Sequence, residues 1–262
     1  MLALPLTLKS VRCSLRPNSF EATLSILTNI ATTRLPPPLL IVSTGAHIAL
    51  GMLGVIIVAR TISAEWGLPA QSLIQAVAMY TGISVFVCIQ LRNHMPQRNF
   101  GAANFVTLIR AAIVSLFAGI AGHSAVVPEM GTWLLVYVGT IALALDGIDG
   151  WIARRLRLQS VLGARFDLEV DAAFIFILSL LVWEFGKVGA WVLIGGAMRY
   201  LFVFAGCAIR ALRRPLPPSR RRQVACVIQT ATLLFALSPD VQPVVAGSAN
   251  GVALTILIIS FG

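Results

Sequence analysis

The sequence predicts an all-α protein: a polytopic membrane helical bundle with a six-helix core preceded by a two-helix hairpin. Three observations lead there. Of the 262 residues, 58% are hydrophobic and only 11% are charged, at a mean hydropathy of +0.88. That balance is too apolar for an ordinary soluble domain. The apolar residues fall into eight runs, several long enough to cross a hydrocarbon layer of ~30 Å. The basic residues collect in the connections at 92–98, 154–165 and 210–222, whereas the alternate connections carry little charge. Such an asymmetry is expected when the basic loops stay in the cytoplasm.

The net charge of +10 and a pI of about 10.7 would suggest nucleic acid as a partner of a soluble protein. Here loop bias and anionic lipid headgroups account for the charge, so membrane lipids are expected partners and nucleic acid is not. Cys13, Cys88, Cys207 and Cys226 form no C-x-x-C or Cys/His grouping. This excludes an evident zinc site or disulfide framework. His47, His94 and His123 are equally isolated.

Residues 1–38 hold Lys9, Arg12, Arg16 and Arg34 against Glu21 and end in Pro36-Pro37-Pro38. They lack the charged-then-apolar layout of a signal peptide. The expectation is a poorly ordered cytoplasmic tail, with a basic transit peptide as the alternative. Residues 39–59 and 72–91 contain no Asp, Glu, Lys or Arg. They read as a transmembrane hairpin (39–91) joined by a loop over 60–71, with Gly45, Gly51 and Gly54 as a small-residue packing face.

After the basic linker, the first core span (104–120) opens with N-F-V-T-L-I-R. Asn104 and Thr107 share a helical face, and Arg110 lies to the side of it. A loop over 123–131 leads to the second span, 132–145, which runs directly into an acidic segment. The third span, 167–185, begins inside that segment, and Glu184 and Lys187 mark the opposite interface. The fourth span, 188–209, carries Arg199. Arg210, Arg213, Arg214, Arg220, Arg221 and Arg222 follow, interrupted by Pro215, Pro217 and Pro218. Spans 224–237 and 241–261 close the chain around Ser238-Pro239-Asp240. Both termini and the acidic segment then face the cytoplasm, the expected location being a bacterial inner membrane.

The acidic segment reads DGIDGWIARRLRLQSVLGARFDLEVD, from Asp146 to Asp171, and holds four of the chain's five aspartates. Carboxylates at a membrane are costly unless paired, hydrated or bound to a cation, so their clustering points to function. On one helix Asp146 and Asp149 share a face with Gly150, Ala153 and Arg154; on the next, Asp167 and Asp171 share a face with Gly163 one turn earlier. Two helices offering two carboxylates each can make an oxygen-rich site for hard cations such as Mg²⁺ or Mn²⁺.

Written as a pattern, the segment is D-x-x-D-G-x-x-A-R, eight residues, then G-x-x-x-D-x-x-x-D. It resembles the motif of the CDP-alcohol phosphatidyltransferases, integral membrane enzymes of phospholipid biosynthesis. With the hydrophobic layout, the resemblance extends over residues 100–262. It implies transfer of a phosphatidyl group from a CDP-alcohol such as CDP-diacylglycerol to an acceptor alcohol, with release of CMP. It also implies two divalent ions, Mg²⁺ or Mn²⁺, held by Asp146, Asp149, Asp167 and Asp171, with Asp171 as general base. Asn104, Thr107, Gly150, Ala153, Arg154 and Gly163 are then the expected CDP-lipid contacts. Two small residues, Gly150 and Ala153, would let the nucleotide lie against the helix.

The acceptor is left open, since the family spans phosphorylated and unphosphorylated alcohols. An unpaired guanidinium within an apolar span costs several kcal/mol. Arg199 is therefore expected to line a polar cavity and, with Arg210, to bind the phosphate of a phosphorylated acceptor. The hairpin could pack in a homodimer. The competing class is an ion or proton-coupled transporter, because intramembrane carboxylates beside an arginine also suit ion coupling. That class does not require Gly150, Ala153, Arg154 and Gly163, and no inverted repeat is visible.

Overall fold

In a computed structural model, residues 38–93, 102–155, 161–208 and 220–261 are described. The tail expected over 1–38 lies outside them apart from Pro38, as do most of the linker at 92–98 and Arg210. The described residues form eight α-helices and no strand. These are α1 (Pro38–Trp66), α2 (Ala70–Asn93), α3 (Ala102–Ile120), α4 (Glu129–Arg155), α5 (Val161–Glu184), α6 (Val192–Ala208), α7 (Arg220–Leu237) and α8 (Pro243–Phe261). The protein is an all-α membrane helical bundle.

Four helices are long and apolar enough to span a bilayer: α1, α2, α4 and α8. Shorter apolar stretches lie in α3 and α6. The other two are set apart by their charges. Arg165, Asp167, Glu169, Asp171 and Glu184 interrupt α5, and Arg220, Arg221 and Arg222 open α7. Outward faces remain apolar, as at Leu50, Leu53, Val244 and Ile259. In lipid such exposure carries no penalty, since the tails are as apolar as the side chains.

Helix bounds correct several expected loops. The loop over 60–71 shrinks to three residues, because α1 continues through Arg60 to Trp66 and α2 starts at Ala70. Arg60 is exposed on the side of the helix, nearly two turns before its end, so its charge does not interrupt the hydrogen-bond ladder. Glu129 belongs to the first turn of α4 rather than to a loop. A carboxylate there is favourable, facing the positive end of the helix dipole. One full turn precedes Asp167 in α5, and α6 begins at Val192 rather than 188.

The centre of the bundle is α5, which packs against α3, α6 and α7. Phe166, Val170, Phe174, Leu178, Leu181 and Val182 give it a continuous buried stripe. Its end is fixed by sequence. Gly186 adopts a φ of +67°, the Lys187 N–H donates to Val182 O at 3.1 Å, and the Gly186 N–H donates to Trp183 O at 2.9 Å. This pair of bonds is the Schellman closure, which favours glycine because the left-handed backbone crowds a Cβ.

Two charged side chains then tie this end to its neighbours. The Glu184 carboxylate accepts from the Gly122 N–H through both oxygens, at 2.9 and 2.8 Å. Lys187 Nζ donates to the carbonyls of Ser238, Pro239 and Val241 at 3.0, 2.8 and 2.9 Å. The turn between α7 and α8 thereby gains a cation on three of its carbonyls.

At Gly196 of α6 the backbones of α5 and α6 come together. A Cβ there would stand 2.7 Å from Phe176 Cα and 3.1 Å from Ser179 Oγ. Backbone cannot yield as a side chain can, so Gly196→Ala is expected to cost about 1–3 kcal/mol through overpacking. Thermal unfolding in detergent checks this against Gly247→Ala, where nothing lies within 4 Å of the added carbon. Equal melting temperatures for the two variants would contradict the close approach.

Candidate active site

Three helices build the site. α4 delivers Asp146 near its C-terminal end, and α5 delivers Asp167 and Asp171 from its first turns. Only five residues, 156–160, separate the end of α4 from the start of α5 in the chain. One ligand oxygen from each of the three carboxylates lies within 4.8 Å of the others. The pairing inferred from i, i+4 spacing on α5, and its meeting with the α4 aspartate, is therefore what the structure contains.

Arg110 of α3 occupies the inner side of this cluster. Its Nη1 lies 2.8 Å from Asp146 Oδ1 and also pairs with Asp167 Oδ1; its Nη2 pairs with Asp171 Oδ1. The Arg110 side chain is 3% exposed, against 18%, 36% and 26% for Asp146, Asp167 and Asp171. The guanidinium thus forms the floor, and the carboxylates are reached from outside it. Arginine suits the position because its planar fork can bond several carboxylates at once.

Arg110 lies to the side of the Asn104/Thr107 face, as helical spacing expects. Its Cα is about 120° round the helix from that of Asn104, but α3 is enclosed by α1, α2, α4 and α5, so its inner face is wide. Asn104, Thr107 and Arg110 are all buried. Gly163 lies in the first turn of α5, one turn before Asp167. Asp149, Gly150, Ala153 and Arg154 continue α4 beyond Asp146; their side chains lie outside the described residues, as does all of Arg210.

Sequence reasoning also missed Glu169. It sits between Asp167 and Asp171 in the chain but pairs with Arg199 of α6, the Arg199 Nε donating to Glu169 Oε2 at 3.3 Å and Nη2 to Oε1. Arg199 therefore has a carboxylate partner within the bundle, which corrects the premise of an unpaired guanidinium. The signal available was Glu169 itself, an acidic residue inside a span, but Arg165 one turn earlier offered a partner at helical spacing and masked it.

Chemically, the cluster is a concave set of oxygen donors with more negative charge than one guanidinium offsets. Thiolate and imidazole are missing from the donor set at Asp146, Asp167 and Asp171. Oxygen-only donors of high charge suit Mg²⁺ or Mn²⁺ rather than softer metals.

Residues 100–260 match the family model described as CDP-alcohol phosphatidyltransferase, a stretch that contains the whole cluster. Neither a curated protein sequence nor a solved structure gives a significant match.

Proposed function

The chain belongs to the CDP-alcohol phosphatidyltransferase family, membrane enzymes that move a phosphate-linked group from a CDP-alcohol to an acceptor alcohol, and we propose that its donor is CDP-diacylglycerol. The product is then a phospholipid, and CMP is released. One observation supports this reading most. Carboxylates from two helices, spaced in the sequence as the family spaces them, converge inside the matched stretch.

Two divalent ions, Mg²⁺ or Mn²⁺, held by Asp146, Asp149, Asp167 and Asp171, would supply charge neutralisation for the diphosphate and its leaving group. The protein's own residues do the rest. Asn104, Thr107, Gly150, Ala153, Arg154 and Gly163 seat the cytidine diphosphate on the cytoplasmic side. Asp171 takes the proton from the acceptor hydroxyl as its oxygen bonds to the β-phosphorus. The bond from that phosphorus to the bridging oxygen breaks, and CMP leaves with the electron pair. A free carboxylate is too weak to ionise an alcohol beforehand, so proton removal accompanies bond formation. Burial beside α3 limits competition from water, which would waste the activated lipid.

A six-helix core over 100–262 would carry this chemistry, with the hairpin at 39–91 outside it. The test is CMP release from CDP-diacylglycerol in detergent, across a panel of acceptor alcohols, with and without Mn²⁺. Metal-dependent CMP release with at least one acceptor is expected. No release with any acceptor and any CDP-alcohol would reject the reading.

For the acceptor, we assign Arg199 and Arg210 to a phosphate. Arg199 spends Nη2 and Nε on Glu169, and its remaining N–H groups are available to an oxyanion. Arg199→Ala is expected to raise the KM for a phosphorylated acceptor such as glycerol 3-phosphate about tenfold or more, with Arg199→Lys intermediate. The KM for the CDP-lipid should change little. Unchanged acceptor KM in both variants, with poorer CDP-lipid use, would move Arg199 to the nucleotide side.

A further inference from the structure

We propose that Arg110 is a built-in counter-ion of the carboxylate site, holding Asp146, Asp167 and Asp171 together in the cation-free protein and weakening cation binding by its charge. The inference rests on the reading of these aspartates as cation ligands. It starts from the placement of the guanidinium, which among the described residues reaches one carboxylate on α4 and two on α5 from a position 3% exposed.

Three carboxylates with oxygens within 4.8 Å of one another repel strongly where water is scarce. A cation between them removes that repulsion and fastens α3, α4 and α5 at one end of the bundle. The bonds use Oδ1 of each aspartate. Each carboxylate has a second oxygen with its own acceptor capacity. Arg110 is thus a positioning residue, and it acts through the carboxylates rather than on the substrate.

Two effects follow and separate it from a group that merely packs. Without a bound cation, loss of the guanidinium leaves buried like charges uncompensated and lowers stability. With a divalent cation present, the same loss removes a positive charge from its immediate surroundings, so affinity rises. A packing role predicts the first effect but never the second.

The experiment uses the full chain in detergent without CDP-lipid. Free Mn²⁺ is read by electron paramagnetic resonance, and melting is followed in EDTA and in saturating Mn²⁺. Arg110→Gln is expected to bind Mn²⁺ about tenfold or more tightly than wild type, by removal of the nearby charge. It should melt lower in EDTA and gain more than wild type from Mn²⁺. Arg110→Lys keeps the charge but not the fork, so it should bind Mn²⁺ like wild type yet also melt lower in EDTA. Mn²⁺ affinity unchanged or weakened in folded Arg110→Gln overturns the proposal. Should that variant fail to fold, Arg110→Lys decides: a melting deficit in EDTA that saturating Mn²⁺ closes supports the proposal, whereas wild-type melting in EDTA, or a deficit that persists in Mn²⁺, overturns it. Wild-type protein that binds no Mn²⁺ fails the cation reading itself, which the first titration reveals separately.

Discussion

Asp171→Asn is expected to lower CMP release by about 10²–10⁴-fold, the usual contribution of a positioned general base. The substitution keeps the shape of the side chain and an oxygen that can still accept from Arg110. It removes the capacity to hold the transferred proton. The bundle should therefore stay folded, because Arg110 retains Asp146 and Asp167, and α5 keeps its buried stripe through Phe166, Val170 and Phe174. CDP-lipid binding should persist as well. The measurement is single-turnover CMP release beside a binding isotherm for the CDP-lipid. Retention of more than a few percent of the wild-type rate would remove Asp171 from the general-base role.

Asp146→Ala should fail differently. Asp146 is the α4 member of the described cluster, so its loss leaves α5 to supply the remaining carboxylates alone. Mn²⁺ affinity is expected to fall by about a hundredfold or more, beyond the 10–100-fold typical of losing a group that only supports a ligand. Asp149→Ala should behave alike if it completes the set. Raising Mn²⁺ should restore part of the activity of Asp146→Ala but none of that of Asp171→Asn. Unchanged Mn²⁺ affinity in both alanine variants would take Asp146 and Asp149 out of the metal shell.

Much of this was legible before any coordinates. Hydropathy located the helices because lipid rewards apolar length, and each expected span corresponds to one helix. Bounds were less certain, as at Arg60 and Glu129, because one charge on an exposed face or in a first turn costs little and leaves no break in the pattern. Fixed spacing exposed the aspartates, since i, i+3 and i, i+4 place side chains on one face whatever the neighbours are. Arg110 and the Glu169–Arg199 pair were out of reach for a different reason. Helical periodicity assigns a residue to a face but not the face to a partner. Asp167, Glu169 and Asp171 alternate within five residues, yet the outer two turn to α3 and the middle one to α6. Only the arrangement of helices around α5 decides that division.

The fastening at Glu184 and Lys187 has a mechanical consequence. Thirteen residues separate Glu184 from Asp171, about 20 Å along α5 at 1.5 Å per residue. Gly122, Ser238, Pro239 and Val241 are gripped at the far end by short hydrogen bonds to those two side chains. Helices pinned at one end move like the arms of tweezers, with the pivot at the pin. Over that arm, a tilt of about 5° at the pivot displaces the carboxylate end by about 2 Å, given the rise per residue of an α-helix. The gripped end stays nearly still. A tilt about that pivot would widen the carboxylate end only where the Arg110 bonds across α3, α4 and α5 give way, while the core around α5 stays packed.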